Sequence, residues 1–192
     1  DFCLSRGLGD VYKRQKYDTR NRNLLKTRNA LLLKFLYLTA ARRSEAANLK
    51  WGDLQQDGEF QVVILQQTKS GEPQKLKLRR ELFEELECWN ETLKTNQIEC
   101  EWVFPSLSFR TLGGKMSGKG VNDVVSKLGS AIGLKISAHY LRHTAITLAL
   151  ELGEPLQKVQ SYARHASANT TIRYFHDQQF LEKNPTDRLP MI

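Results

Sequence analysis

The chain has 192 residues, 40% of them hydrophobic and 26% charged, enough for one domain with its own core. No apolar run approaches the roughly 20 residues that cross a bilayer, and no secretory leader is visible, so no membrane partner and a cytoplasmic location are expected. The net charge of +8 favours a polyanionic partner without separating DNA from RNA.

Cysteine usage points the same way. Cys3, Cys88 and Cys100 make an odd count with no CxxC spacing, which argues for a reducing compartment and against a disulfide framework or a structural zinc site.

The first fifteen residues, DFCLSRGLGDVYKRQ, begin without methionine, and the run from Asp10 to Gln15 resembles the conceptual translation of a sequencing adaptor. Residues 1–15 are therefore expected to be a non-native assembly scar, outside the folded domain of residues 16–192. Setting them aside lowers the net charge by one, so the basic character stays.

Beyond the scar, Leu24, Leu31, Phe35 and Leu38, with Leu25, Leu32 and Leu36 beside them, form a wide apolar stripe at helical spacing. A short helix is expected from Ser44 toward Lys50. Phe60–Leu65 and Gln74–Leu78 read as two strands of a hairpin whose turn holds Ser70, Gly71, Glu72 and Pro73. Leu82, Leu86, Trp89 and Leu93 restore the helical period, and Val103 and Phe104 predict a short buried strand or loop. A loop over 113–120 leads to a helix through Val121, Val125 and Leu128. Ser137 suits the cap of a helix over Ala138–Leu152, ended by Gly153. Pro155 suits the first turn of the next helix, and Ser167 the cap of a last one containing Tyr174. The fold class is α+β and mainly α, a helical core with a small antiparallel sheet.

Two patterns suggest other chemistry and fail. GGKMSGKG spaces Gly113, Gly118 and Lys119 like a phosphate-binding loop, but Gly120 stands where Ser or Thr must hold magnesium. His139 and His143 stand four apart, as zinc ligands can, yet Tyr140 replaces the general-base Glu of the metalloprotease pattern and no third ligand is in place. No cofactor and no metal are expected.

The informative residues are spread along the chain. HYLRHTAITLALELG places His139 and Arg142 three apart, on one helical face. ARHASANTTIRYFH carries His165, with Tyr174 nine residues on. Upstream, Arg42 opens RRSEAANLKWGDL and Lys69 stands in QQTKSGEP. Each alone is unremarkable; together they resemble the tyrosine recombinases of the phage integrase family over roughly residues 24–183. The resemblance implies the catalytic-domain fold of that family, double-stranded DNA as partner, and cleavage and rejoining of strands through a covalent 3′-phosphotyrosine. It implies Tyr174 as the nucleophile, Arg42 and Arg142 as clamps on the scissile phosphate, and Lys69 as donor of a proton to the leaving 5′ oxygen. His139 would assist proton transfer and His165 would hydrogen-bond the phosphate. Tyr162 and Tyr140 stand next in line should Tyr174 not serve.

The family commonly has Leu-Gly before its second histidine, where this chain has Ala163 and Arg164. It has Gly and an aliphatic residue before the first arginine, where Ala40 and Ala41 stand, and Arg43 leaves a choice of arginine that spacing resolves toward Arg42. Relatives also carry an N-terminal DNA-clamping domain to which no stretch here corresponds, and they assemble as homotetramers on DNA. A type IB topoisomerase and an inactive DNA-binding relative are the competing readings.

Chemistry explains the residue types. Phosphoryl transfer gathers negative charge on the phosphate oxygens, so a catalyst works by positioning and electrostatic stabilisation. Guanidinium groups stay charged and meet those oxygens in a bidentate fork. A phosphotyrosine conserves the energy of the broken bond, so rejoining needs no ATP.

Overall fold

A computed structural model describes residues 2–66, 72–165, 167 and 170–171, with side chains described from Asn21 onward. Helix α1 runs Phe2–Thr39. It begins well before the apolar stripe because nothing stops it: the first proline of the chain is Pro73. Leu24, Leu31, Leu32, Phe35 and Leu36 are buried along one side and form the spine of the main core.

After the short α2 (Arg43–Ala47) comes a three-stranded antiparallel sheet in the order β1 (Leu54–Asp57), β2 (Phe60–Leu65), β3 (Gln74–Lys77). The expected hairpin is β2–β3, in register with Val62 opposite Lys77 and Leu65 opposite Gln74. Strand β1 was not expected. It pairs Asp57 with Phe60 across a two-residue loop, and Gly58 takes φ +59° at the first loop position, where a tight hairpin turn of type II′ requires glycine.

Helix α3 (Arg80–Thr95) buries Leu82, Leu86, Trp89 and Leu93, as its period predicts. The segment after it is core rather than surface. Val103 and Phe104 are buried, Phe104 meets Phe35 with ring centroids 5.5 Å apart, and Trp89 Nε1 donates to the Val103 carbonyl at 2.9 Å. Arg28 reaches from α1 to the Pro105 carbonyl at 3.0 Å; burial among neutral groups pushes its pKa down to about 10.

Helices α4 (Gly118–Ala131) and α5 (Ala138–Glu151) are each capped by the serine before them, Ser117 accepting from the Gly120 amide and Ser137 from the Tyr140 amide. Gly118, Lys119 and Gly120 thus form the first turn of α4 rather than a phosphate-binding loop. Gly153 follows α5 with φ +85°, and α6 (Leu156–Ala163) starts after Pro155, which is its cap rather than its first turn. A second apolar cluster of Ala40, Ala145, Ile146, Leu150, Val159 and Ala163 ties α5 and α6 to the end of α1. Among the described residues no helix is long and apolar enough to cross a membrane.

Candidate active site

The last turn of a helix leaves carbonyls without intrahelical donors and carries a partial negative charge. At the end of α1 those carbonyls are met by side chains from α5 and α6. The Tyr162 hydroxyl donates to the carbonyls of Tyr37 and Leu38 at 3.2 and 3.1 Å. Arg164 donates through Nη1 to Thr39 at 3.1 Å and through Nη2 to Ala40 at 2.8 Å. Arg142 donates to the same Ala40 carbonyl and, through its other terminal nitrogen, to that of Ala163.

The backbone turns sharply at both ends of this network. Ala40 has φ +45° and Arg164 has φ +55° with ψ +45°, a left-handed conformation that costs a non-glycine residue roughly 1–2 kcal/mol. These are the two positions where the related family commonly has glycine. Here the strain is held by the hydrogen bonds that converge on the Ala40 carbonyl.

Two residues past Ala40, Arg42 precedes α2. Its backbone amide donates to Glu45 Oε2 at 2.7 Å, its Nη1 to Glu45 Oε1 at 2.6 Å, and its Nη2 to the Arg164 carbonyl at 3.0 Å. Glu45 is buried and accepts a further bond from Arg164 Nη2 at 3.0 Å. One carboxylate therefore serves two guanidinium groups, Arg42 and Arg164. Arg43, the alternative to Arg42, is exposed and packs along Gly118 instead.

His165 follows Arg164. Its Nδ1 lies 2.9 Å from Thr171 Oγ1, and burial, then the charges of Arg142, Arg42 and Arg164, push its pKa down to about 4. Burial also lowers the pKa of Arg164, with Glu45 opposing. Arg42, Arg164, His165, Ser167 and Thr170 line a cavity of about 750 Å³ that is also lined by Pro73 and by Gln74, Lys75 and Leu76 of β3.

Four placements follow for the residues singled out in the sequence. Arg42, Arg142 and His165 come together around the end of α1. His139, although three residues from the buried Arg142, is exposed on the first turn of α5 and does not line the cavity. Lys69 and Tyr174 lie outside the described residues. Of the substitute tyrosines, Tyr140 is exposed, and Tyr162 is bound to the α1 carbonyls with its pKa pushed up to about 12 by burial, which suits a structural donor and not a nucleophile. Sequence reasoning missed Glu45 and Arg164 as members of the cluster. The one signal for Arg164 was its departure from the family's glycine.

Residues 13–180 match the phage integrase family. A tyrosine recombinase of Synechococcus elongatus is 31% identical over 165 residues, covering 84% of this chain and 51% of that protein. The tyrosine recombinase XerA of Pyrococcus horikoshii is 32% identical over 147 residues, covering 77% and 50%. The chain thus spans about half the length of these relatives. Among solved structures, the XerH site-specific recombinase bound to its palindromic difH substrate, a post-cleavage complex, superposes with a TM-score of 0.72 at 23% identity over 91% of this chain and 51% of that one. A lambda integrase (75–356) dimer bound to a COC′ core site gives a TM-score of 0.58 at 17% identity, over 83% and 58%. With most of its length matched and its mainly helical fold and small antiparallel sheet shared with these structures, the chain belongs to the phage integrase family of tyrosine recombinases.

Proposed function

We propose that residues 16–192 are the catalytic domain of a site-specific recombinase that cuts and rejoins double-stranded DNA through a covalent 3′-phosphotyrosine at Tyr174. The observation that carries this reading is the convergence of Arg42, Arg142 and His165 from distant stretches of sequence around the end of α1. An excess of fixed positive charge over the single carboxylate Glu45 suits a phosphodiester, whose transition state gathers negative charge. The Tn1549 transposon integrase in complex with transposon right end DNA shares the fold with a TM-score of 0.62, which supports DNA as the partner.

In this reading Arg42 spends two of its five N–H donors on Glu45 and the Arg164 carbonyl, and its remaining donors meet a non-bridging oxygen. Arg142, locked by Ala40 and Ala163, supplies a second fixed charge without reorganising. His165, neutral across the physiological range, donates or accepts a hydrogen bond at the phosphate. Lys69 supplies the proton for the leaving 5′ oxygen, and His139 assists transfer from the surface side of α5. The working assembly on DNA is a homotetramer.

Covalent capture tests the proposal. A labelled duplex nicked so that religation is impossible should become attached to the wild-type chain in a denaturing gel. Tyr174→Phe, which loses only the reacting hydroxyl, should bind the duplex and capture none. Absence of capture by the wild type, or persistent capture by the Phe variant, would overturn it.

A further inference from the structure

Arg164 is the residue in the cluster that the family resemblance does not account for. It stands where glycine would satisfy the left-handed backbone at no cost, yet it is an arginine, 8% exposed. Burying a guanidinium there makes sense only through what it contacts. Its Nη1 donates to the carbonyls of Thr39 and Tyr162. Its Nη2 joins the Ala40 carbonyl to Glu45 Oε2, and its own carbonyl accepts from Arg42 Nη2. Arg42 is thus gripped from two sides, by Glu45 and by the Arg164 backbone, and Arg164 holds both grips: its side chain fixes the carboxylate, and that same side chain secures the turn that presents its carbonyl.

We propose that Arg164 is a positioning residue for Arg42, taking over through a buried ion pair with Glu45 the rigidity that a glycine turn cannot supply. This rests on the recombinase reading above, in which Arg42 clamps the scissile phosphate. A guanidinium fork must be held within a fraction of an ångström to act on a transition state, and small misplacements are costly in rate. A lysine at 164 would keep the charge but offers one ammonium in place of two separated nitrogens, so it could not bond Thr39, Ala40 and Glu45 together.

The test is single-turnover cleavage of the nicked duplex at saturating DNA, in a double-mutant cycle. Arg164→Gly removes the side chain and relieves the backbone, so the fold should survive; Arg164→Asn, which also tolerates the left-handed conformation, replaces it should the glycine variant fail to fold. The expected result is a cleavage rate lowered about tenfold or more, with duplex affinity changed far less, and only partial recovery in Arg164→Lys. In an Arg42→Lys background, the same Arg164 substitution should cost less than about twofold, because the group it positions has gone. A wild-type rate in Arg164→Gly, or losses that multiply in the double variant, would show that Arg164 does not act through Arg42. If the wild-type chain captures no DNA at all, the recombinase reading falls and takes this proposal with it. Capture by the wild type with an indifferent Arg164 variant overturns this proposal alone.

Discussion

Arg142, in the middle of α5, donates to the carbonyl of Ala40, the strained residue that closes α1. The arginine proposed to clamp phosphate is therefore also part of the fold, because it satisfies a buried carbonyl at a helix end and another at Ala163. Arg142→Lys should reveal both roles. One ammonium cannot reach two carbonyls that diverge from a guanidinium, so urea denaturation should show a loss of about 2–4 kcal/mol, alongside loss of covalent capture. Unchanged stability would mean the two carbonyls find other donors.

His165 gives a pH-dependent prediction whose sign is fixed by its surroundings. Its pKa in the folded chain is about 4, against an ordinary 6.5. Between those values the unfolded chain binds a proton that the folded chain refuses. The stability contributed by this group is complete above about pH 6.5 and lost as pH falls toward 4. His165→Gln should flatten that part of the stability profile. The imidazole resonances of His165 should titrate near pH 4, and inorganic phosphate in the cavity should raise that midpoint. A midpoint above 6 without phosphate would contradict the arrangement of the three arginines.

The role proposed for Lys69 is separable from mere phosphate contact. An alkoxide leaves poorly, so its protonation should be worth about a hundredfold or more in rate. Replacing the bridging 5′ oxygen by sulfur gives a leaving group that needs no proton. Lys69→Ala should be slow on ordinary DNA and near wild type on the sulfur substrate. Equal impairment on both would assign Lys69 to binding and make His139 the next candidate acid.

Gly129, inside α4, sets helix propensity against space. Propensity alone favours alanine by about 1 kcal/mol. A Cβ there, however, would lie 2.7 Å from the Leu134 carbonyl oxygen and 2.3 Å from Ile136 Cγ1. The backbone oxygen cannot step aside, since the Leu134 amide is itself bonded to the Gly129 carbonyl. Gly129→Ala should lower stability by about 1–3 kcal/mol. A rise in melting temperature would show that the turn after α4 adjusts freely.

Residues 1–15 should be dispensable, because no apolar periodicity in their sequence ties them to the core. Their deletion should leave the melting temperature within a few degrees. A larger drop would mark them as native and packed.

Much of this architecture was legible in the sequence because it is local. The stripe from Leu24 to Leu38, the serine caps at Ser117 and Ser137 and the stop at Gly153 each declare themselves within a few residues. Strand β1 did not, since Leu54–Asp57 is a polar edge strand with one apolar residue and no alternation; only Asp57-Gly58 hinted at its turn. The site was half legible. Spacing put Arg42, Arg142 and His165 in order, and the structure brings them together. Spacing also suggested a shared face for His139 and Arg142, but the structure exposes the first and buries the second. The left-handed Ala40 and Arg164 had no local signal, because neither residue type favours that conformation. Their geometry is imposed by partners more than a hundred positions away in the chain.

Those long separations have a kinetic consequence. The bonds that close the cluster span 102 residues from Arg142 to Ala40, 122 from Arg42 to Arg164 and 125 from Arg164 to Thr39. Contacts of such reach form late, after the loop entropy between them has been overcome. During synthesis the end of α1 must wait, its carbonyls uncovered, until α6 has left the ribosome. A nascent chain interrupted before Arg164 can build the α1–α3 core and the sheet, but holds Arg42 by Glu45 alone. Folding order thus withholds the assembled arginine cluster from every product that stops before Arg164.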